Sequence, residues 1–263
     1  MKAIVLAGGK GARLAPYTKI LPKPLMPIDD MPILEVLLRQ MKYSGVEDVI
    51  LTVGHLSALL KAFFQDGHQW GLNIGYSYEE KPLGTAGPIA LVDGLEDTFM
   101  VTNGDVLTTL DFKELIRFHK SQNAIATIAS HRRQVHIDLG VLQRAESCIA
   151  KGDVARMQSC SYRDQCQFWQ GGCAVIGYDE KPNIDYVVSM GVYVFEPRVL
   201  DYIPKNQYLD FPDLVLKLIA AGEKVVSFPF DGYWKDLGRP DDYEQAAEDF
   251  SKMRTQFLRE EKI

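Results

Sequence analysis

A short apolar run, Ala3 to Leu6, is broken at once by glycines at positions 8, 9 and 11 in the stretch LAGGKGARL. A continuous apolar run of this length ending in glycines marks a strand buried on both faces of a parallel sheet. The rest of the chain follows that lead. Ile33, Leu34, Leu37, Leu38 and Met41 recur at helical spacing behind Asp30 and Pro32, and Gly45 ends the segment. Val49–Val53 reads as the second buried strand, with a helix near Ala58–Phe64, a strand near Ile74–Tyr78, a helix over about Thr85–Val92 and a strand at Phe99–Thr102. Asp111 with Glu114 three residues on has the form of a capping box, placing a helix behind it.

The second half mixes hairpins with helices. Strand-like segments fall at Ala124–Ala129, Leu139–Leu142, Val175–Tyr178 and Val188–Phe195, and helical ones at Asp210–Ala220 and Pro240–Phe257. With 263 residues, an apolar fraction of 46% and no internal repeat, the pattern predicts one doubly wound, Rossmann-like α/β domain over residues 1–263, its mixed β-sheet flanked by helices on both faces. The net charge of −6 argues against a nucleic-acid-binding surface as the main function but leaves room for a local basic pocket. The apolar run at the N-terminus is too short for a secretion signal or a membrane span, so the expected location is the cytoplasm.

The glycine turn is a candidate phosphate cradle, because backbone amides there can approach phosphate oxygens without side-chain obstruction. It is neither a dinucleotide fingerprint, since Leu14 stands where a third glycine is required, nor a P-loop, since no Gly-Lys-Ser/Thr occurs. Taken alone it is equally compatible with an ordinary tight turn. Arg13 within the turn and Lys23 in PKPL add the counter-charge that a triphosphate requires, although exposed cations are the common fate of such residues.

Further landmarks follow in order: EEKPLGTAG at Glu79–Gly87, NGDVL at Asn103–Leu107, EKP at Glu180–Pro182 and WKDLGRP at Trp234–Pro240. Together with LAGGKGARL and PKPL, they resemble the signature of the sugar-1-phosphate nucleotidylyltransferase family, whose members join a sugar 1-phosphate to a nucleoside triphosphate and release pyrophosphate. The resemblance implies that Arg13 and Lys23 are catalytic and that Asp105 and Asp236 hold Mg²⁺, whose preference for hard carboxylate oxygens they suit. It places Leu6, Ala7, Gly8, Gly9, Gly11, Glu79, Pro82, Leu83, Gly84, Thr85, Asn103 and Gly104 around the nucleotide, with main-chain amides near Gly84 reading the base edge. It assigns the sugar phosphate to Gly140, Glu180, Lys181, Gly191 and Tyr193.

The expected partners are thus a nucleoside triphosphate and a sugar 1-phosphate, with neither nucleic acid nor membrane; family members are often dimers or tetramers, so a homo-oligomer is left open. LGTAG is similar to the form in mannose-type guanylyltransferases, which tilts the reading toward GTP with a mannose- or heptose-type 1-phosphate. Uridylyl-, thymidylyl- or cytidylyltransfer to glucose 1-phosphate, a nucleotide-sugar-consuming glycosyltransferase and a catalytically silent nucleotide-sugar-binding regulatory subunit are the alternatives. No appended β-helix follows WKDLGRP, so a single activity is expected.

Two departures from the family pattern stand out. Ala12 occupies a position where Thr or Ser is frequent, removing one hydroxyl contact to phosphate. An insertion over about 144–174 carries Cys148, Cys160, Cys166 and Cys173 with C-x11-C-x5-C-x6-C spacing, which lacks the paired C-x2-C knuckles of ordinary zinc sites. It reads best as a surface insertion, with a lid or partner-binding loop and a metal or disulfide staple as alternatives; Phe168 and Trp169 would anchor part of it.

Overall fold

The computed structural model describes residues 1–9, 11–144, 175–238 and 240–259. In chain order the strands and helices are β1 (Lys2–Leu6), β2 (Pro27–Ile28), β3 (Met31–Pro32), α1 (Ile33–Tyr43), β4 (Asp48–Val53), α2 (Ser57–Phe64), β5 (Asn73–Tyr78), β6 (Phe99–Asn103), β7 (Val106–Thr108), α3 (Phe112–Gln122), β8 (Ala126–His136), β9 (Val141–Arg144), β10 (Val175–Asp179), β11 (Asn183–Phe195), α4 (Phe211–Ala220), β12 (Val225–Pro229), β13 (Trp234–Asp236) and α5 (Pro240–Phe257). The cysteine-bearing stretch from 145 to 174 lies outside the described residues, and so do Phe168 and Trp169.

The sequence reading treats the chain as a single domain; the contacts divide it into two compact units, Met1–His131 with Val188–Ile263, and Arg132–Val187. The first is built on a seven-stranded sheet of order β12-β8-β11-β6-β1-β4-β5. β1 lies third from the β5 edge and pairs in parallel with β4 and β6, β4 pairs in parallel with β5, and β6, the central strand, is antiparallel to β11. The sheet is therefore mixed and mainly parallel, as the alternating pattern requires.

Alternation along β1 shows why both faces are covered. Ala3 and Val5 join one cluster with Leu34, Leu37, Leu60, Phe64 and Leu115, supplied by α1, α2 and α3, whereas Ile4 joins another with Ile89, Phe195, Phe211 and Leu214. All three β1 side chains are fully buried. Burying a Val or Ile side chain contributes about 1.5–3 kcal/mol, so a charge at Val5 would act on one layer and a charge at Ile4 on the other. A third cluster joins α1 to α5 through Ile33, Val36, Ala246, Phe250 and Phe257.

Local signals set the helix ends. α1 begins directly after Pro32, and Gly45, with φ of 84°, follows its last turn. The Asp111 carboxylate caps α3 by accepting the Lys113 amide at 2.8 Å, and Asn123 leaves the helix in the left-handed region. The helix expected over Thr85–Val92 is instead a 3-10 segment, Gly87–Leu91. The amides of Ala86 and Gly87 both donate to Leu209 O, at 2.9 and 3.0 Å, which ties the start of this segment to the strand-to-helix connection before α4. β12 and β13 are short strands that the apolar pattern does not reveal.

The second unit is a small β structure. β9 and β10 pair antiparallel, with Val141 opposite Asp179 and Leu142 opposite Tyr178. Gln143 Nε2 donates to Asp179 Oδ2 at 2.6 Å, and Ile137 N donates to Pro182 O at 3.0 Å. Many of its apolar side chains, among them Leu142, Ile176, Tyr178 and Val187, are exposed. Among the described residues, no helix is long and apolar enough to cross a membrane.

Candidate active site

β1 leads through β4 to β5 on one side of the sheet, after which the chain returns to place β6 on the other. The order thus reverses beside β1, and in open α/β sheets ligands bind outside the carboxyl ends of the strands at such a point. A cleft of about 600 Å³ lies there, lined by Leu6, Gly8 and Gly9 after β1, by Thr52, Gly54 and His55 after β4, and by Asn103 and Asp105 after β6. Glu79, Pro82, Gly84, Thr85, Tyr208 and Asp210 complete another part of the wall.

Backbone approaches backbone at the head of the cleft. A Cβ on Gly8 would sit 2.7 Å from Glu79 Oε1, and one on Gly54 would sit 3.2 Å from Gly8 O. Gly8 and Gly54 are therefore small because they face each other. Gly11 has φ of 59°, and its carbonyl accepts Thr18 Oγ1 at 2.8 Å and the Leu14 amide at 2.9 Å, which closes the 3-10 turn bearing Arg13.

The charged residues converge although they are far apart in sequence. The 3-10 turn Lys23–Leu25 buries Lys23, whose ammonium pairs closely with Asp105 and lies 3.6 Å from Asp236 Oδ1. Only 9% of the Lys23 side chain is exposed, and a lysine so buried requires such partners. The register explains the geometry: β13 runs antiparallel to β7 with Asp236 opposite Val106, and Leu237 N donates to Asp105 O at 3.3 Å. Arg13 reaches the same place, because a Cβ on Gly238 would meet its Nη2 at 3.0 Å and Asp236 Oδ1 at 3.3 Å. Two cations and two carboxylates thus gather at one end of the cleft, where Asp105 lines the wall and Lys23, Asp236 and Arg13 stand beside or behind it.

The other end is held without ion pairs. Leu83 N donates to Glu79 Oε2 at 3.1 Å, and Leu209 N donates to Leu83 O at 2.9 Å. Burial pushes the Glu79 carboxyl above the usual carboxylate range, opposed in part by the Leu83 amide. Thr85 and Tyr208 both donate to the Asp210 carboxylate, and Tyr208 chiefly holds its pKa below the ordinary value, while burial works against it. Gly84 takes φ of 79°, with space for a Cβ closed by Leu209 O at 2.6 Å.

Of the residues expected around a nucleotide, Leu6, Gly8, Gly9, Glu79, Pro82, Gly84, Thr85 and Asn103 line the cleft. Ala7 and Leu83 are buried behind it, at 3% and 2% exposure, and Gly104 is buried with its amide on Leu6 O. The amides on either side of Gly84 are already committed, that of Leu83 to Glu79 and that of Thr85 to Asp210, so among the amides expected to read a base edge near Gly84 these two have protein acceptors. Asp210, Tyr208, Thr52, Gly54 and His55 are lining residues that the motifs do not contain.

Among the expected sugar-phosphate residues, Gly191 faces Asn103: a Cβ there would lie 2.5 Å from Asn103 Nδ2, and φ is 73°. Tyr193 departs from expectation. It sits in the core at 7% exposure, its ring stacked 4.1 Å from Phe211, with the hydroxyl accepting Ser189 Oγ at 3.0 Å. Both faces of β11 are covered here, and period-2 alternation puts Tyr193 with Phe195 and Phe211 in one core layer while Val192 and Val194 join the other. Gly140, Glu180 and Lys181 belong to the second unit, where Tyr178 lies over Gly140, Glu180 is exposed, and Lys181 pairs with Asp138 at 2.7 Å.

Among the described residues no cluster of three or more His, Cys, Asp or Glu forms a metal cage. The donor set nevertheless suits Mg²⁺, which commonly uses one or two protein carboxylates and completes its shell with water and substrate phosphate. The fit rests on Asp105 and Asp236 both reaching the Lys23 ammonium, so their oxygens already bracket a position for positive charge.

A family model described as nucleotidyl transferase matches residues 2–253. The chain is 36% identical to a mannose-1-phosphate guanylyltransferase of Mycobacterium tuberculosis, over 94% of this chain and 64% of that protein. It is 32% identical to a UTP–glucose-1-phosphate uridylyltransferase of Synechocystis, over 94% of this chain and 62% of that one. The chain therefore spans less than two thirds of the length of these relatives. In fold it resembles HddC from Yersinia pseudotuberculosis, with a TM-score of 0.66 at 22% identity, covering 95% of this chain and 99% of that one.

Proposed function

Since the chain belongs to the nucleotidyl transferase family, we propose that its cleft transfers a nucleoside monophosphate from a nucleoside triphosphate to a sugar 1-phosphate, releasing pyrophosphate. The observation that carries this reading is the meeting of Arg13, Lys23, Asp105 and Asp236 at one end of a cleft whose head is a glycine cradle.

In this reading a phosphate oxygen of the sugar 1-phosphate attacks the α-phosphorus in line, and the bond from that phosphorus to the β-phosphate oxygen breaks on the opposite side. The attacking phosphate is already an anion, so no proton needs to be removed by a general base. Catalysis comes from alignment and charge neutralisation. The cradle at Gly8 and Gly9 admits the triphosphate close to the backbone, and Arg13 and Lys23 supply positive charge where pyrophosphate departs. Asp105 and Asp236 would hold Mg²⁺, which when bound would polarise phosphoryl oxygens and neutralise part of the developing charge.

GTP with a mannose- or heptose-type 1-phosphate is the favoured pair, supported by LGTAG and by the guanylyltransferase named among the relatives. The uridylyltransferase relative keeps UTP with glucose 1-phosphate as the second reading. The test is pyrophosphate release by the purified chain with Mg²⁺, over GTP, UTP, dTTP, CTP and ATP against mannose, glucose and heptose 1-phosphates. Release that requires one nucleotide and one sugar phosphate is expected. Silence across the matrix while nucleotide still binds would overturn the catalytic reading in favour of a regulatory subunit.

A further inference from the structure

Asp210 occupies the position before α4 at which an aspartate ordinarily accepts an amide of the first helical turn. Here it caps nothing on its own helix. One of the amides it would accept is missing, because Pro212 stands second in the helix. Its carboxylate turns outward instead: Oδ1 accepts Thr85 N at 2.9 Å and Thr85 Oγ1 at 3.2 Å, and Oδ2 accepts the Tyr208 hydroxyl at 2.6 Å. The favour is returned, since Thr85 Oγ1 accepts the Phe211 amide at 2.9 Å and so caps α4 from 126 residues away. One threonine hydroxyl donates to the aspartate and accepts from the helix, which is its full use as a two-sided group.

This exchange lies in the wall of the cleft, and its consequence is selective. The amides of Leu83, Thr85, Ala86 and Gly87 are all committed to protein acceptors. Among the described residues of that stretch, Gly84 lines the cleft with its amide outside these bonds, on a backbone held at φ of 79° against Leu209 O. Hydrogen bonds to an ionised acceptor are stronger than neutral ones, so the Asp210 carboxylate is a firm fixture of Thr85, the residue next to Gly84.

We propose that Asp210 is a positioning residue for nucleobase selection: by holding Thr85 it sets the attitude of the Gly84 peptide toward the base. This rests on the reading of the cleft as a nucleoside triphosphate site. Discrimination by a hydrogen-bonding site depends on donors being held in place, so loosening the wall should erode selectivity before it erodes phosphate binding.

The experiment is equilibrium binding, without sugar phosphate, of GTP, UTP, dTTP and inorganic tripolyphosphate to the wild-type chain and to Asp210→Ala, Asp210→Asn and Tyr208→Phe, with thermal melts of each. For Asp210→Ala the ratio of affinities between the preferred and the next nucleotide should fall by about tenfold while tripolyphosphate binding stays within about twofold. Asp210→Asn should recover most of the ratio, because its carbonyl oxygen still accepts Thr85 N. Tyr208→Phe should lower it by about two- to threefold, and carries the test should the alanine variant not fold. An unchanged ratio in Asp210→Ala and Tyr208→Phe, a parallel loss of tripolyphosphate binding, or a wild-type chain that does not distinguish the nucleotides would each overturn the proposal. Selective binding by a wild-type chain that releases no pyrophosphate would instead refute the catalytic reading and leave this one standing.

Discussion

The two ends of the cleft are built on opposite principles. At the charged end, Lys23, Arg13, Asp105 and Asp236 come from segments up to 223 residues apart; the pairing of β13 with β7 sets Asp236 beside Asp105, and both carboxylates face the buried Lys23 ammonium. At the other end, Leu83–Gly87 is fastened to Tyr208–Phe211 by main-chain amides, two hydroxyls and one carboxylate. The first arrangement depends on charge and tolerates change in backbone; the second depends on backbone and tolerates little.

The largest effect should come from Asp105→Ala. Turnover is expected to fall by at least about 10³-fold. Stability to urea should drop by roughly 3 kcal/mol, because the nearly buried Lys23 loses its close partner and keeps only Asp236 at 3.6 Å. Asp236→Ala should match the loss of turnover yet change stability by less than about 1 kcal/mol, since Asp236 is half-exposed and the Lys23–Asp105 pair survives. Equal stability losses would break the distinction between the two carboxylates.

Next comes Arg13→Ala, with turnover lowered about 10²-fold and stability within about 0.5 kcal/mol, as Arg13 is exposed. Gly238→Ala sharpens the point: the new methyl group would displace the Arg13 guanidinium rather than backbone, so turnover should fall by about five- to tenfold at an unchanged melting temperature. Full activity in Gly238→Ala would show that Arg13 works from elsewhere.

The backbone end is probed by Gly84→Ala, expected to cost about 1–3 kcal/mol through its positive φ and the 2.6 Å approach to Leu209 O. Gly9→Ala at the phosphate end meets nothing within 4 Å and should leave stability within about 0.5 kcal/mol. Similar costs at both positions, read from chemical melts, would erase the contrast.

The smallest effect concerns Glu79. Its carboxyl holds its proton more tightly in the fold than in the open chain, so its contribution to stability is present below the ordinary carboxylate pKa of about 4.3 and is lost as pH rises through the elevated value. Glu79→Gln keeps an acceptor for Leu83 N and removes the cost of a buried charge. Its melting temperature should exceed the wild type's slightly at neutral pH and match it below about pH 4. A gain that persists into acid would assign the effect to packing instead.

Much of the framework was legible because it is local. The apolar run at β1, the 3.6-residue stripe of α1 and the Asp111 cap are each encoded within a few residues, and the structure follows them closely. Doubly wound order also follows, since a strand apolar at every position needs cover on both faces. What escaped was decided at a distance. Thr85–Val92 is expected to be a helix, but only Gly87–Leu91 forms, as a 3-10 segment tied at its start to Leu209. Tyr193 belongs to a motif region, yet strand alternation turns it onto Phe211. Asp210 reads as a helix cap, and only the fold reveals that Thr85 and Tyr208 claim its oxygens. The motifs contain Lys23, Asp105 and Asp236, but nothing local in them shows that the structure brings the three together with the lysine between the acids.

The exchange between Thr85 and Asp210 also bears on how the molecule is assembled. Its hydrogen bonds span 125 and 126 residues, whereas the glycine turn closes on Thr18 within seven. Contacts of such separation must meet the entropy of closing a long loop before they reward it. As the chain emerges in order, the Gly84 wall has nothing to lean on until Tyr208–Phe211 arrives, and Asp236 and Gly238, beside Lys23 and Arg13, follow later still. Neither end of the cleft is therefore finished until most of the chain has been made.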